Sequence, residues 1–292
     1  MLLIPFSVLD GMFFKNYAMK KIVVLIAIVS SLMVQAQNDS ISAKAEFKLS
    51  VNYNSNLNYY GRTDSLKSTG FFPMAEIWFS PKFYINAAPV FVNNKLQSFE
   101  YAGTVATAGF QNLTEKWLTN LYVLKPFYKE SSQLVQTALK AQAGINISSL
   151  NKIANITVGG DVKFSDKTDF GATAGLDHII RMDNKDGSAF VIDPSFYAYA
   201  GTQNFTNTYY KKKAGLPFFP GTNEQVTETV QQFTILAYEA SVPLIYVKDK
   251  WMVLATPSYI LPQNLITVPN RPDLSERGEN TFYITLALKR TF

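Results

Sequence analysis

Three features of the amino-acid sequence predict an all-β fold, a transmembrane antiparallel up-and-down β-barrel of about 12 strands. Beyond residue 43, one segment after another alternates apolar and polar residues with the period of two that belongs to a β-strand. Charged residues make up only 17% of the chain, against about 25% in an average soluble protein, and aromatic residues reach 14%. Beyond residue 36, no segment is long and apolar enough for a transmembrane helix. A membrane-spanning barrel has this composition because only every second residue of a strand faces lipid.

The clearest alternation lies between Leu134 and Ser148. Apolar residues and one threonine occupy every second position from Val135 to Ile147, and the positions between them are mostly polar. A helix would mix the two sets, so this segment is predicted to be a strand. The segment 153–165 has the same pattern, which predicts a hairpin with a short turn between the two. The predicted strands are 43–53, 71–80, 82–92, 99–110, 115–127, 134–148, 153–165, 169–182, 190–203, 229–246, 250–261 and 281–292.

The first 36 residues are predicted to be a leader and signal peptide, 1–36. A basic pair at Lys20–Lys21 is followed by an apolar stretch over 22–34 and by a small-residue cleavage site that ends at Ala36. Met19 stands directly before the basic pair, so we expect translation to begin there, and a genuine long leader is the alternative. One barrel domain would then occupy 37–292.

The predicted connections between strands differ in length in a regular way. The long ones, 54–70, 204–228 and 262–280, are the first, the ninth and the eleventh, so they lie on one side of a barrel whose strands run alternately up and down. The even-numbered connections on the other side are short. Long loops on one side and short turns on the other are typical of transmembrane β-barrels.

The last predicted strand alternates from Thr281 to Phe292 and ends on an aromatic residue. In this it resembles the C-terminal assembly signal of Gram-negative outer-membrane β-barrels, although Arg290 stands where that signal usually has an aromatic residue. The resemblance implies export to the outer membrane, a periplasmic end for this strand, and the barrel-assembly machinery as a partner. The apolar face that would carry the signal consists of Phe282, Ile284, Leu286, Leu288 and Phe292.

Charged residues on the polar faces of the predicted strands are candidates for the lining of the lumen. A Lys or Arg that faced lipid near the membrane midplane would cost about 2–4 kcal/mol, so the alternation is expected to turn these residues inward. They could form an electrostatic lining that selects solutes, or an ion-pair network that fills a narrow interior. Barrels of about 8 strands are filled by side chains and those of about 16–18 are open, so a size between them leaves both alternatives. The candidate lining residues are Lys44, Glu46, Lys48, Lys140, Asp161, Lys163, Asp177, Arg181 and Lys289.

The sequence offers little for catalysis or for a cofactor. It contains no cysteine and a single histidine, His178, which excludes disulfides and thiolate metal sites and makes a transition-metal site unexpected. An outer-membrane phospholipase needs a serine two residues after its histidine, and that position is occupied by Ile180. We therefore predict no enzyme activity, no catalytic residue, no cofactor and no metal.

Aromatic and basic residues indicate contacts with lipid. Tyrosine and tryptophan near strand ends are expected to form girdles at the membrane interfaces. Lys211–Lys213 in a long outer loop could meet lipopolysaccharide phosphates. The chain has a formal net charge of +5 but no dense basic run, so nucleic acid is not an expected partner. The expected girdle residues are Tyr53, Tyr59, Tyr60, Trp78, Trp117, Tyr122, Tyr128, Tyr199 and Trp251.

Three functions are compatible with these features. The leading one is a passive channel or uptake barrel for small solutes. The second is a closed structural barrel whose long outer loops bind a surface partner. The third, a lipid-acting barrel enzyme, ranks last because no nucleophile and base stand in a recognisable pattern.

Overall fold

A computed structural model of the chain describes residues 45–63, 66–96, 98–129, 139–165, 168–212, 223–266 and 275–292, and for 203–212 and 223–232 it describes the backbone only. The predicted signal peptide, Lys44 and the first residues of the predicted strand 134–148 lie outside these ranges. None of the described residues belongs to a helix that is long and apolar enough to cross a membrane.

Twelve antiparallel strands in the described part of the chain form one closed barrel. Each strand pairs with its neighbours in the sequence, and the last strand pairs with the first from Lys48↔Thr291 to Asn54↔Thr285. The predicted fold class is therefore confirmed. The strands are β1 Glu46–Asn54, β2 Thr69–Trp78, β3 Phe83–Asn93, β4 Glu100–Leu113, β5 Trp117–Tyr128, β6 Ala141–Ser149, β7 Asn155–Phe164, β8 Thr168–Asp177, β9 Ser195–Lys212, β10 Asn223–Ser241, β11 Trp251–Pro262 and β12 Thr281–Thr291.

Three strands have short extensions beyond two-residue breaks. Ile180–Asp183 continues β8, Ala189–Ile192 precedes β9, and Leu244–Lys248 continues β10. Two of the breaks contain proline, which cannot donate a hydrogen bond to a neighbouring strand. Pairing resumes beyond each break, so the predicted strands 169–182, 190–203 and 229–246 are each interrupted but not ended.

One predicted connection is wrong in its extent. The backbones of β9 and β10 stay paired as far as Lys212↔Asn223, so most of the predicted loop 204–228 is strand. Both arms are rich in threonine, tyrosine and valine, which favour strands. The remaining residues, 213–222, lie outside the described ranges; they include Lys213 of the predicted lysine cluster. We call the end of the barrel that carries the short turns the turn end, and the opposite end the loop end.

The outer surface of the barrel is apolar. Along β1, the side chains of Phe47, Leu49 and Val51 are 39%, 42% and 44% exposed although they are hydrophobic. On β12, the predicted apolar set lies on the same outer face, with Phe282 at 60% exposure and Leu288 at 46%. Arg290 is also on this face, where its guanidinium lies 5.0 Å from the ring of Trp251 and 4.9 Å from the ring of Phe292. An apolar band around a closed barrel is the surface expected of a barrel that contacts membrane lipid.

The predicted aromatic girdle is wrong for most of its members. Tyr53, Trp117 and Trp251 are exposed on the outer face, as expected. The others share the inward direction of the polar residues on their strands or belong to a loop inside the barrel, because the alternation of each strand, rather than its end, decides which way a ring points. The inner members are Tyr59, Tyr60, Trp78, Tyr122, Tyr128 and Tyr199.

The first long connection folds into the loop end of the barrel instead of projecting outward. We call its described residues, 55–63 and 66–68, the inner loop; in it Asn58–Tyr59 pairs with Arg62–Thr63 in a small hairpin. Tyr60 and Gly61 form its turn with φ values of 53° and 75°, a left-handed geometry that glycine adopts easily. Leu57 packs against an apolar cluster of the wall that contains Val90, Val92 and Ala102. The loop is therefore attached to the inside of the barrel.

Candidate luminal site

A polar cavity of about 620 Å³ lies in the lumen. Tyr60 of the inner loop bounds it towards the loop end, and Gln111, Leu118 and Leu150 bound it beside the short turns of the opposite end. The remaining lining comes from the inward faces of β5 to β9 and from the breaks beside β8 and β9. These lining residues include Asn120, Tyr122, Gln142, Asn146, Asn155, Thr157, Asp161, Asp177, Asp193, Tyr197 and Tyr199.

Tyrosine rings form one wall of the cavity. The rings of Tyr197 and Tyr199 are stacked with centroids 6.2 Å apart, and the ring of Tyr60 lies 5.1 Å from that of Tyr199. Along β9 and the inner loop, three rings thus follow one another through the lumen. Sequence reasoning missed this wall because two of its rings were expected at the membrane interfaces.

Glycines on neighbouring strands give the inward tyrosines their space. Tyr122 stands directly opposite Gly144, and Tyr197 directly opposite Gly175. A Cβ on Gly144 would lie 2.6 Å from the Tyr122 ring, and one on Gly175 would overlap the Tyr197 ring. Each ring can therefore lie against the wall, because its neighbour has no side chain.

The cavity is lined by carboxylates but, among the described residues that line it, by no lysine or arginine. Asp161 is paired with Lys163, whose ammonium lies 5.9 Å from the centroid of the Tyr60 ring. Asp177 accepts hydrogen bonds only from neutral groups in the described structure, the Asn155 amide at 2.6 Å and the Tyr197 hydroxyl at 3.4 Å. One carboxylate oxygen of Asp193 is buried, with no hydrogen-bond partner in the described part of the chain.

A second charged group lies where the barrel closes, away from the cavity. We call it the seam cluster; it joins Glu46 and Lys48 of β1, Glu76 of β2 and Lys289 of β12. The Lys289 ammonium and the Trp78 indole each donate a hydrogen bond to the Glu76 carboxylate, both at a distance of 2.8 Å. Lys48 pairs with Glu46 at 3.1 Å. These charges satisfy one another, as the ion-pair alternative for the lumen requires.

The candidate lining residues are thus divided among different places. Asp161 and Asp177 line the cavity, Lys163 pairs with Asp161, and Glu46, Lys48 and Lys289 belong to the seam cluster. Lys140 is exposed just before β6, and Arg181 is exposed on the extension of β8, where it pairs with Asp183 at 2.9 Å. The inward prediction for Arg181 assumes one uninterrupted strand, whereas Ile180–Asp183 follows the break at 178–179 and is exposed throughout.

Arg62 of the inner loop forms hydrogen bonds with the C-terminal part of the barrel at the loop end. Its side chain is 7% exposed. It donates to the Glu276 carboxylate at 3.1 Å and to the backbone carbonyls of Leu236 at 3.1 Å, Gln263 at 3.2 Å and Tyr60 at 3.3 Å. We call this set of bonds the Arg62 latch. Sequence reasoning missed it, because Arg62 looks like any loop arginine and its partners lie far along the chain, in the C-terminal strands and their connection.

Two backbone contacts reinforce the latch between the first and the eleventh connection. The Thr63 amide donates to the Arg277 carbonyl at 3.1 Å, and the Glu279 amide donates to the Gly61 carbonyl at 3.3 Å. Two predicted outer loops, which are neighbours because β12 pairs with β1, therefore meet at the loop end of the barrel. Between them they cover the outer side of the cavity at Tyr60.

A closed barrel with an apolar outer band and a polar cavity inside is an outer-membrane β-barrel, and the protein is located in the outer membrane. The short turns accordingly lie on the periplasmic side and the inner loop on the outer side. The class of the protein is therefore the outer-membrane β-barrel. No family model and no curated protein matches the chain.

Solved structures of outer-membrane barrels are similar to the chain. One is an outer membrane channel from Pseudomonas putida F1, with 11% identity, a TM-score of 0.46, and coverage of 87% of this chain and 98% of that chain. Another is LpxR from Salmonella typhimurium, with 10% identity, a TM-score of 0.41, and coverage of 84% and 100%. A third is an anion-selective porin from Comamonas acidovorans, with 7% identity, a TM-score of 0.26, and coverage of 86% and 99%. The likeness concerns the fold alone, so a function has to rest on the side chains of this chain.

Proposed function

We propose that the protein is a channel for small polar solutes, with the luminal cavity as the solute path and the inner loop as its gate. The observation that carries this proposal is the cavity itself, about 620 Å³ of polar-lined space that reaches from the inner loop to the periplasmic turns. Sites for small molecules have volumes of about 300–1,000 Å³, so a small solute fits. A purely structural barrel would be filled by groups such as the seam cluster.

The inner loop suits a gate because a few hydrogen bonds hold its tip, most of them from one buried side chain. The Arg62 latch joins the loop to β10, to the end of β11 and to the eleventh connection. Hydrogen bonds to charged groups contribute about 1.5–3 kcal/mol each, so releasing them would let the tip with Tyr60 leave the solute path.

The other two functions have less support. Binding of a surface partner needs free outer loops, whereas the first and eleventh connections bind each other at the loop end. For a lipid-acting enzyme, the described cavity lining contains no histidine, and His178 lies in the break after β8. We therefore infer that the protein is not an enzyme.

Single-channel recording of the full chain in planar bilayers tests the proposal. We expect discrete current steps from the wild type, and an open-to-closed ratio about tenfold or more higher for Arg62→Met, because that change removes the hydrogen bonds of the latch. Lys67→Met is the matched control. Lys67 also pairs across the two loops, with Glu279, but both side chains are more than half exposed, at 62% and 51%, so little change is expected.

Two results would contradict the proposal. Absence of current from both the wild type and Arg62→Met would exclude a channel. Equal gating in Arg62→Met and the wild type would exclude the inner loop as the gate. A shift in gel mobility between unheated and boiled samples verifies beforehand that every variant is folded as a barrel.

A further inference from the structure

The periplasmic half of the luminal cavity contains negative charge that the described structure does not balance. Asp177 and Asp193 both line it, and they are close enough to interact through their charges. The described groups that bond to Asp177 are neutral, and an oxygen of Asp193 is buried without a partner. The histidine beside them, His178, also interacts with Asp193 but lies outside the lining. Both side chains are partly removed from water, and a carboxylate in that position without a counter-charge is destabilised, so a cation in this space would be stabilised.

The same space offers aromatic faces. Tyr197 donates its hydroxyl to Asp177 and stacks on Tyr199, which in turn contacts Tyr60. A cation over an aromatic face is stabilised by about 0.5–2 kcal/mol, and more when water is displaced. The Lys163 ammonium already interacts in this way with Tyr60, at 5.9 Å from the ring centroid.

From this combination we infer that the luminal cavity selects small organic cations, substituted ammonium compounds whose charge faces Asp177 and Asp193 and whose alkyl groups contact the tyrosine wall. The inference rests on the proposed function, since it names the class of solute that uses the path. A neutral sugar could stack on the same rings, but it would leave both carboxylates without a counter-charge. A bare metal ion is disfavoured, because the described residues contain no group of three metal-ligating side chains.

The test compares two probes of nearly equal shape and different charge. Choline carries a quaternary ammonium, and 3,3-dimethylbutan-1-ol has a neutral carbon in its place. Isothermal titration calorimetry of the full chain, purified from outer membranes in detergent, should give an affinity for choline about tenfold or more higher than for the neutral alcohol. Equal affinities, no choline binding, or tighter binding of glucose than of choline would overturn the inference.

Substitutions then locate the cation within the cavity. Asp177→Asn combined with Asp193→Asn should weaken choline binding about tenfold and leave the alcohol unaffected. The matched control, Asp183→Asn combined with Asp186→Asn, removes the same charge from exposed side chains on the periplasmic side and should retain choline binding. Retained binding in the first pair, or equal loss in both pairs, would overturn the assignment. If the first pair does not fold, Asp193→Asn alone carries the comparison.

Conductance measured in parallel separates this inference from the proposed function. If the protein passes current but binds choline no more tightly than the alcohol, the cation site is overturned and the channel is retained. Choline binding that depends on Asp177 and Asp193, in a protein that passes no current, supports the cation site and overturns the channel.

Discussion

Replacing Glu76 with glutamine removes the negative charge around which the barrel closes. The Glu76 side chain is 9% exposed and accepts hydrogen bonds from Lys289 on β12 and from Trp78 on its own strand. Lys48 of β1 lies over the Trp78 ring at 4.7 Å. In Glu76→Gln, the amide oxygen can still accept the indole hydrogen bond, but two lysines remain with only Glu46 to balance them.

The size of the effect depends on burial. Removing one partner of a buried ion pair costs about 3–5 kcal/mol, whereas an exposed pair contributes about 0–1 kcal/mol. Lys289 is 22% exposed and therefore partly solvated. We expect Glu76→Gln to lower the free energy of unfolding by about 2–3 kcal/mol, between these limits. Lys289→Met should lower the free energy of unfolding by less than Glu76→Gln does. In that variant, Glu76 keeps its hydrogen bond from the Trp78 indole and has Lys48 nearby. The double variant should cost less than the sum, with a coupling energy of about 1–2 kcal/mol.

The assay is urea unfolding of the protein in phosphatidylcholine vesicles, followed by tryptophan fluorescence and by gel mobility. The second probe is needed because Trp78 itself contacts the substituted residue. Glu100→Gln is the matched control, since Glu100 pairs with Lys129 where both side chains are exposed, at 38% and 49%. An unfolding free energy of Glu76→Gln equal to that of Glu100→Gln, or strictly additive effects in the double variant, would refute the role given to the seam cluster.

Two further predictions concern the lumen and the periplasmic turns. Gly144→Val should push the Tyr122 ring into the cavity and lower single-channel conductance by about half. Val158→Ile, on the exposed outer face of β7 and outside the cavity lining, should leave the conductance unchanged; equal conductance of both variants would argue against the tyrosine–glycine pairs. Hydrogen bonds from Ser188 hold the pKa of Asp186 well below its ordinary value. Because the pKa is lower in the folded than in the unfolded state, this contribution to stability is complete above the unfolded pKa of about 4 and disappears as the pH falls through the folded pKa. A carbon-13 NMR titration of the aspartate carboxyl groups, assigned with Asp186→Asn, measures the pKa of Asp186. A titration midpoint at the ordinary pKa of an aspartate would count against the turn geometry.

Much of the barrel could be predicted from the sequence because strand alternation is a local property. The hydrophobic face of β12, with Phe282, Leu286 and Leu288, is readable from adjacent residues alone, and so are the short turns. Errors arose where local patterns were read too far. The alternation of β8 does not continue through the break after it, so it does not predict the direction of Arg181. The parity of Tyr122 and Tyr199 on their strands places them in the lumen, whereas their position along the strand suggests a membrane interface.

The candidate site was much less predictable. Asp161 and Asp177 could be named as inward charges, but nothing local distinguishes a paired carboxylate from an unpaired one. Asp161 finds Lys163 two residues away on the same strand face, whereas Asp177 receives only neutral donors from β7 and β9 in the described structure. That difference depends on which strands become neighbours and in which register.

By itself, the sequence determined that this chain forms strands with one apolar and one polar face and belongs in the outer membrane, because a period of two requires no knowledge of distant residues. Only the tertiary structure decided that the first long loop folds inward and that a cavity remains behind it. Arg62 finds its partners 174, 201 and 214 residues further along the chain. Such contacts exist only once the barrel has closed, since closure alone brings β10, β11 and the eleventh connection next to the inner loop.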